Sequence, residues 1–382
     1  MLPSDSNTSQ IIDDLRDHKD DFTWLSVHVD TIYDEIKQGL EFPHTAQTGI
    51  EMLILAMPYV TTQAEHHRWE KLLAEALRHA MILVDNEALI QLWTGVGEIH
   101  LHNARLPSAS TAFDIAFRRA TSSTETEAML LARIGMLRTS IIYSKHDVDK
   151  FIEDSLRLAQ TINDPNLIAQ LNYTLAVAYA HRAETQKALG HAQLALGYWY
   201  KNRTKKNRAL LIMAEACRSV DLFERAAWYL RHVETAYDRS YEDALQAYAR
   251  GALLVELKQA QEALQWLDFA QSQFAALDRR YMIGATYQTV ALAQIQLEQF
   301  DSAHQNIRRA LITWEQIENQ YQKAEAVYTL GYLHHAKNEL DKARSMYDFA
   351  LGIAQSMTLS PMVSGLIARL QDDLDQLNHA SQ

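Results

Sequence analysis

The residue types best suited to metal or acid–base chemistry are plentiful in this chain, but their spacing does not bring them together. Sixteen histidines occur among the 382 residues, and no two of them lie three or four positions apart, so no helix face presents a histidine pair to one ion. Glu98 and His102 are four residues apart, which an ion pair between neighbours explains better than a ligand set does. The sequence therefore predicts no metal site and no cofactor.

Motifs of the common enzyme classes are equally missing. The sequence contains no phosphate-binding loop, no nucleophile elbow and no zinc-protease helix. Gly95 and Gly97 stand two apart in an apolar segment with no strand before them, which indicates helix packing rather than a phosphate loop. We therefore expect a protein that is not an enzyme and has no catalytic residues.

One stretch of the sequence combines aromatic and basic side chains. Tyr198, Trp199 and Tyr200 precede a run of cations that we call the basic patch, namely Lys201, Arg203, Lys205 and Lys206, with Arg208 close behind. The patch is either a solvated connection between helices or a contact for an acidic peptide, a phosphate group or a nucleic acid. The sequence leaves both interpretations open.

Composition predicts a helical protein of the cytoplasm. Hydrophobic residues make up 48% of the chain, while Gly and Pro number only 12 and 6, so few of the residues that punctuate strands and tight turns are present. The single cysteine, Cys217, cannot form an internal disulfide. Neither a secretory signal nor a membrane-spanning segment is visible. A net charge of −12 argues against a nucleic-acid partner.

Similar amphipathic segments recur along most of the chain. A small or medium apolar residue heads seven of them at intervals of 36 to 43 residues, and these residues are Ala109, Ile152, Ala188, Ala226, Ala263, Ala303 and Ala343. A period of this size is typical of stacked supersecondary units, each of which buries its apolar face only against its neighbours. The sequence is therefore interpreted as a repeat array.

The best-formed repeats resemble the tetratricopeptide repeat (TPR) family. The first clear one has the spacing W-x2-L-G-x2-Y and then A-x3-F-x2-A, at Trp93, Val96, Gly97, His100, Ala109, Phe113 and Ala116. Val96 replaces the motif's Leu and His100 replaces its Tyr, and both keep a bulky side chain at that position. The last one carries Leu330, Gly331, Ala343, Tyr347 and Ala350 at matching positions. The periods exceed the usual value of about 34 residues, and in this they are similar to the Rap-type and PlcR-type peptide sensors of bacteria.

The resemblance implies an all-α fold, a right-handed superhelical solenoid of antiparallel helix pairs. We expect residues 1–45 to form an N-terminal helical cap and residues 46–360 to form about eight TPR-like helix pairs. Residues 361–382 are then a C-terminal capping helix.

In TPR proteins the first helix of each pair lines the inner groove, so the resemblance also implies which residues a partner meets. The expected contact residues are Gln91, Thr94, Glu98, His102, Arg138, Tyr173, Thr174, His181, Arg208, Glu215, Arg218, Tyr248, Gln288, Thr289, Glu325, Tyr328, Tyr332 and His335. Amides, hydroxyls, phenols and guanidiniums suit an extended or helical peptide, and Arg208 and Arg218 are expected to capture a carboxylate. Ordinary exposure or packing between repeats is the alternative for each residue taken singly.

Two functions follow from the resemblance. The first is a non-enzymatic interaction protein that binds a protein or peptide segment in its concave groove. The alternative is a peptide-responsive regulatory sensor of the Rap or PlcR type, in which the signal changes the curvature of the superhelix and so controls an effector. The sequence does not determine the oligomeric state or name the partner.

Overall fold

The chain consists of helix hairpins. The computed structural model describes residues 5–18, 22–61, 66–143, 148–234, 241–357 and 361–380, and over these residues the chain forms nineteen α-helices and no β-strand. Its internal contacts divide it into two compact units. Unit 1 comprises Met1–Thr139 and Asp149–Asn163, and unit 2 comprises Ser140–Val148 and Asp164–Gln382.

Unit 1 contains α1 to α6 and most of α7 and α8. The bounds are α1 Asp5–His18, α2 Phe22–Glu41, α3 Ala46–Val60, α4 His66–Leu83, α5 Asn86–His102, α6 Leu106–Ser123, α7 Thr126–Tyr143 and α8 Val148–Ala159. The start of α5 shows why the chain turns into a helix there. The Asp85 carboxylate accepts a hydrogen bond from the Ala88 N–H at 3.0 Å, which satisfies one of the free donors at the helix start.

Unit 2 contains α9 to α19. The bounds are α9 Pro165–His181, α10 Thr185–Trp199, α11 Arg203–Arg218, α12 Phe223–Arg231, α13 Tyr241–Glu256, α14 Ala260–Ala276, α15 Arg280–Gln296, α16 Phe300–Gln316, α17 Gln320–Ala336, α18 Leu340–Gln355 and α19 Pro361–Ala380. The first helices of its pairs are α9, α11, α13, α15 and α17. Their starting residues show that successive repeats are 38 to 40 residues long.

The seven apolar residues that mark the sequence repeat all lie in second helices, and all are buried. None exposes more than 5% of its surface. They occupy α6, α8, α10, α12, α14, α16 and α18 in order. The prediction of a periodic array of helix pairs is therefore confirmed.

In unit 1 the helices approach closely where glycines face large side chains. A Cβ atom on Gly97 of α5 would lie 2.6 Å from the ring of Phe113 in α6, and one on Gly135 of α7 would lie 2.4 Å from the same ring. Phe113 is fully buried. A Cβ on Gly95 would lie 2.4 Å from the Met57 methyl group. Gly95 and Gly97 therefore serve helix packing, as the sequence predicts.

Unit 2 repeats this arrangement. A Cβ on Gly331 of α17 would lie 2.5 Å from the ring of Tyr347 in α18, and one on Gly251 of α13 would lie 2.6 Å from Leu267 in α14. Tyr347 and Leu267 are fully buried. Because a larger residue would push the helices apart, glycine at these crossings sets the distance between them.

The turns between helices depend on residues other than glycine. Within the described residues, ten that are not glycine have a left-handed backbone, namely Val84, Ala104, Thr124, Ala183, Asp221, Lys258, Asp278, Glu298, Glu318 and Asn338. After α17, for example, Asn338 lets the Glu339 N–H donate to the His334 carbonyl at 2.9 Å, which closes the helix end. All twelve glycines lie inside helices instead. The low glycine content therefore reflects how the turns are built and does not mean that turns are few.

The predicted all-α class is confirmed over the described residues. The boundary between a cap and an array at residue 46 stays a prediction, as does the one at residue 361. On either side of the first boundary, α2 and α3 pack closely, since a Cβ on Gly39 would lie 2.8 Å from the Gly49 Cα. None of the described helices is both long enough and apolar enough to cross a membrane.

We predict that Gly331→Ala destabilises the protein, because the new methyl group would overlap the buried Tyr347 ring. The expected loss is about 1 to 3 kcal/mol in the free energy of unfolding, measured as a lower denaturation midpoint by circular dichroism. Gly352→Ala in α18 is the matched control. Nothing lies within 4 Å of a Cβ there, so it should stabilise the protein by about 0.5 to 1 kcal/mol. An unchanged midpoint for Gly331→Ala would contradict the packing.

We also predict that Val84→Gly stabilises the protein. Val84 follows α4 with φ at 55° and is 82% exposed, so it bears the steric cost of a left-handed backbone, about 1 to 2 kcal/mol, with little packing in return. The thermal midpoint should rise. Val27→Gly, at another exposed valine but inside α2, should lower it. A fall for both variants would show that the turn is not left-handed.

Candidate functional site

Tyrosines recur at intervals of forty residues on the first helices of unit 2. Tyr241, Tyr281 and Tyr321, which we call the tyrosine ladder, lie within the first two residues of α13, α15 and α17. All three are half-buried. The Tyr241 ring packs edge-on against Phe274 at 5.9 Å between centroids, and Tyr281 packs in the same way against Trp314 at 5.3 Å. Packing therefore fixes these two rings and leaves part of each exposed.

Hydrogen bonds connect neighbouring first helices beside this ladder. They run from Gln322 Nε2 to Tyr281 Oη at 3.1 Å, from Thr289 Oγ1 to Tyr248 Oη at 3.4 Å, and from Gln288 Nε2 to Thr329 Oγ1 at 3.3 Å. Each joins residues forty-one positions apart, because one repeat brings equivalent positions side by side. The half-buried members, Tyr248, Tyr281, Gln288, Thr289 and Gln322, form what we call the uncharged centre.

At one end of the uncharged centre, the arginines already hold carboxylates. Arg208 donates to Glu242 Oε1 through Nε at 3.0 Å and Nη2 at 2.6 Å. Arg218 binds both oxygens of Glu215, at 3.0 and 2.7 Å, and also Glu256 at 3.1 Å. Carboxylates of this chain thus neutralise both guanidiniums, and the expectation that these two arginines capture a partner's carboxylate stays a prediction.

At the other end, charge is paired as well. Tyr321 donates to Glu325 Oε1 at 2.7 Å, and Arg369 of α19 forms an ion pair with the same carboxylate. The Arg369 guanidinium also lies 5.3 Å from the centre of the Tyr328 ring. We use the name first-helix surface for the tyrosine ladder, the uncharged centre and these paired charges at its two ends.

The uncharged centre is half-buried. Burial raises the pKa of Tyr248 and Tyr281 above the usual value for tyrosine, although both side chains keep part of their surface exposed. Polar groups in such a place have lost much of their hydration, so a partner that supplies hydrogen bonds there loses little in displacing the remaining water.

The pKa values of His181 and Glu215 are both lowered, but for different reasons. Burial lowers the pKa of His181, although Glu215 opposes it. Burial acts to raise the pKa of Glu215, but Arg218 outweighs it, so this pKa lies below the usual value. Near neutral pH the histidine is therefore neutral and the carboxylate is charged.

The predicted contact residues of unit 1 form a smaller cluster. Glu98 accepts a hydrogen bond from Arg138 Nη1 at 2.6 Å, and its second oxygen lies 3.8 Å from His102 Nε2. The ion pair between Glu98 and His102 that the sequence favours is present if the imidazole is protonated. Arg138 adds a permanent charge that the sequence did not place there.

Three predicted threonines donate to carbonyls of their own helices. They are Thr94 to Ile90 at 2.9 Å, Thr174 to Gln170 at 3.0 Å and Thr289 to Ala285 at 3.0 Å. Gln91 likewise donates to the Glu87 carboxylate of its own helix at 3.3 Å. Thr94 and Thr174 are also buried, so their assignment to a groove surface is wrong. Of the other predicted residues, Tyr173 packs against Trp199 at 5.7 Å between ring centroids, while Tyr332 and His335 of α17 are exposed and half-buried, respectively.

The basic patch is divided by the fold. Lys205 donates to Asn166 Oδ1 at 2.9 Å, and Lys206 pairs with Glu234, so these two cations connect neighbouring helices. Lys201 and Arg203 are exposed. Trp199 is buried while Tyr198 and Tyr200 are exposed, so only part of the aromatic and basic stretch faces solvent.

Sequence reasoning missed Tyr241, Tyr281, Tyr321, Gln322 and Arg369. For the tyrosines a signal was present, since their recurrence at forty residues matches the repeat length. The small residues that mark the repeat lie in the buried cores of the second helices, so they say little about the exposed face of the first helices.

Elsewhere in the described residues, no three His, Cys, Asp or Glu side chains converge to hold a metal ion. A cleft of about 490 Å³ lies between α18 and α19, lined by Arg344, Asp348, Gln371, Leu374, Asp375 and Asn378. It contains none of the predicted contact residues. We therefore do not regard it as the candidate site.

We predict that acidification below about pH 6.5 destabilises the protein through His181. Its pKa is lowered on folding, so the unfolded chain binds a proton that the folded chain does not, and stability rises with pH in this range. His100 and His191 act in the same sense, since burial lowers the pKa of each.

The His181→Gln variant should show a smaller fall in thermal midpoint between neutral and mildly acidic buffer. His304→Gln, at an exposed position on α16, is the control. Equal falls in wild type and His181→Gln would rule out this role.

Solved structures of helical-repeat proteins superpose on most of this chain. A Rap protein complexed with Competence and Sporulation Factor aligns with a TM-score of 0.55 at 16% identity, over 76% of this chain and 87% of that one. The Cut9–Hcn1 hetero-tetramer of the APC/C aligns with a TM-score of 0.56 at 11% identity, over 90% and 60%.

A signal-transduction ATPase with a tetratricopeptide repeat sensor, from Pyrococcus horikoshii, aligns with a TM-score of 0.50 at 14% identity, over 86% of this chain and 49% of that one. No protein-family model and no curated protein matches the sequence. At these identities the likeness establishes the fold, and the chain is a helical-repeat protein with the fold of the TPR superfamily.

Proposed function

We propose that this protein is a non-enzymatic interaction protein and that it binds a protein or peptide segment on the first-helix surface of unit 2. The observation that carries the proposal is the uncharged centre, a half-buried row of phenol, hydroxyl and amide groups joined by hydrogen bonds between neighbouring helices.

The chemistry of this row suits a polypeptide. A peptide backbone offers both donors and acceptors, and Tyr hydroxyls and Gln amides provide both as well. The faces of half-buried aromatic rings accept apolar side chains. Because the row extends across α13, α15 and α17, it matches an elongated ligand better than a compact one.

The paired arginines constrain the charge of the partner. Arg208 and Arg218 bind Glu242 and Glu215, so an acidic partner would have to displace a carboxylate that is already well placed. We infer that the bound segment contacts the surface mainly through hydrogen bonds and rings. Its binding should then depend little on salt.

Two of the structures with this fold are complexes, the Rap protein with Competence and Sporulation Factor and Cut9 with Hcn1. They support the proposal only to the extent that this type of fold holds protein or peptide partners. The sequence of the ligand is not inferred from them.

We predict that a double variant, Tyr248→Phe with Tyr281→Phe, weakens peptide binding. Ligands would be selected from a displayed random-peptide library against the full chain, and affinity would be measured by fluorescence anisotropy. Loss of two hydroxyl groups should lower affinity about 5- to 30-fold, which corresponds to about 1 to 2 kcal/mol, with little change in thermal midpoint because both rings remain.

Tyr198→Phe is the matched control, since it removes a hydroxyl from the exposed side of α10. It should leave affinity unchanged. If the selected peptides bind the double variant as tightly as the wild type, the first-helix surface is not their binding site.

The sensor alternative is tested on the same complex. Neighbouring first helices are joined here by single side-chain hydrogen bonds, which a ligand can exchange at little cost. Small-angle scattering with and without the selected peptide then distinguishes the two functions, because a sensor changes its radius of gyration on binding and a docking surface does not.

A further inference from the structure

The end of the first-helix surface beside α19 holds more carboxylate than its one arginine pairs with. Glu325 of α17 is bound by the Tyr321 hydroxyl and by Arg369 of α19. Asp373 lies one turn after Arg369 on the same helix, is half-buried, and accepts a hydrogen bond from the Tyr328 hydroxyl. In the part of the chain that the structure describes, Asp373 forms no ion pair. Two carboxylates therefore share one cation.

The opposite end of this surface is different. There the carboxylates of Glu215, Glu242 and Glu256 are each bound by an arginine of the chain. Asp373 has only a phenol, whose neutral hydroxyl group leaves the charge of the carboxylate uncompensated. The α19 end is therefore the place where a positive charge of a partner meets a carboxylate that holds no cation.

Tyrosine rings line the same face of α17. Tyr321, Glu325, Tyr328 and Tyr332 follow one another at intervals of three or four residues, which places them on one side of the helix. The Arg369 guanidinium lies 5.3 Å from the centre of the Tyr328 ring, within the range at which an aromatic face attracts a cation. The position of this arginine shows that carboxylate and ring together accommodate a cationic group.

A buried hydroxyl without a partner lies at the same place. Tyr347 of α18 is fully buried, and over the described ranges no group forms a hydrogen bond with its Oη atom. The Tyr347 ring stacks on Tyr328 at 5.5 Å between centroids. Burial raises the pKa of Tyr347, and the nearby Asp373 carboxylate raises it further. Because buried polar groups without a partner are rare, this hydroxyl indicates that a group from outside the chain completes the cluster.

Arg369 is a weakly held occupant of this cluster. Its side chain is 52% exposed, whereas that of Glu325 is 15% exposed. An ion pair formed by a long, solvent-exposed side chain contributes little, since water competes for the charge and rotamer freedom is lost. A cationic side chain of a partner can therefore take the place of Arg369 without breaking a strong contact.

We propose that the α19 end of the first-helix surface binds a lysine or arginine side chain of the bound segment. The N–H groups of this side chain donate to Asp373 and to the Tyr347 hydroxyl, its charge lies against the Tyr328 ring, and Arg369 turns into solvent. We call Asp373, Tyr347 and Tyr328 the cation site. The proposal rests on the peptide-binding function proposed above and adds the chemical class of one ligand residue. Since Asp373 is half-buried, salt screens this contact less than an exposed one, and the dependence of binding on salt stays small.

The test uses the full chain and peptides selected against it from the displayed library, with their amino termini acetylated. Each peptide lysine is replaced in turn by norleucine and each arginine by citrulline, which remove the charge and keep most of the side chain. One of these replacements should lower affinity for the wild type about tenfold or more in fluorescence anisotropy. The same replacement should change affinity for Asp373→Asn little, because the carboxylate that the cation meets is gone.

Asp372→Asn is the matched control. It removes the same charge from the adjacent, exposed position of α19, so the net charge of the helix changes equally while the cation site is intact. The peptide replacement should lower affinity for this variant as much as for the wild type.

Two further variants separate binding from folding. Tyr347→Phe should weaken binding of the unmodified peptide about three- to tenfold, although its thermal midpoint should stay the same or rise, because a buried hydroxyl without a partner is removed. Arg369→Gln should bind the peptide about two- to fivefold more tightly. An ion pair that only holds α19 in place would not give tighter binding when it is removed.

Five results would overturn the proposal and leave the peptide-binding function intact. They are selected peptides that depend on Tyr248 and Tyr281 but contain no lysine or arginine, binding that acetylation of the amino terminus abolishes, equal effects of the peptide replacement in wild type and Asp373→Asn, unchanged affinity in Tyr347→Phe, and unchanged or weaker binding by Arg369→Gln. If no selected peptide depends on Tyr248 and Tyr281, the peptide-binding function itself fails, and the cation site fails with it.

Discussion

This structure depends on one kind of contact. A glycine on one helix faces a large buried side chain on the neighbouring helix. Phe113 lies between Gly97 and Gly135, and Tyr347 lies against Gly331. Burying a ring of this size contributes about 1.5 to 3 kcal/mol, but only if the helices come close enough to exclude water. The glycines make that distance possible, so the spacing of the pairs follows from it.

Because the repeats of unit 2 are nearly equal in length, residues about one repeat apart in the sequence form a continuous surface. Since each repeat in unit 2 adds 38 to 40 residues, positions about one repeat apart lie side by side on neighbouring first helices. Gln322 therefore reaches Tyr281, and Thr289 reaches Tyr248. No single repeat contains this row of polar groups. The row of groups exists because several repeats present the same position in the same direction.

Glycine occurs where two helices cross closely, whereas the left-handed turn positions are occupied by other residues. Turns such as those at Val84 and Asn338 adopt a left-handed backbone without glycine, at a steric cost, while the helix crossings all but exclude a Cβ. A turn residue can relieve strain by moving into solvent, whereas a crossing residue has a neighbouring side chain in the way. Gly190, Gly197, Gly352 and Gly365 fit neither class, since nothing lies within 4 Å of a Cβ at any of them.

The sequence by itself determined the helical class, the repeat and the buried residue at the head of each second helix, because burial of small residues at a regular interval leaves a direct mark in the residue types. It also identified Tyr248, Gln288 and Glu325 as candidates. Only the tertiary structure decided that Arg208 and Arg218 already hold Glu242 and Glu215, that Thr94 is buried, and that Tyr281 receives a hydrogen bond from Gln322. These pairings depend on how far one helix is shifted along its neighbour. That shift is set by side-chain volumes across the whole interface, and no local spacing in the sequence records it.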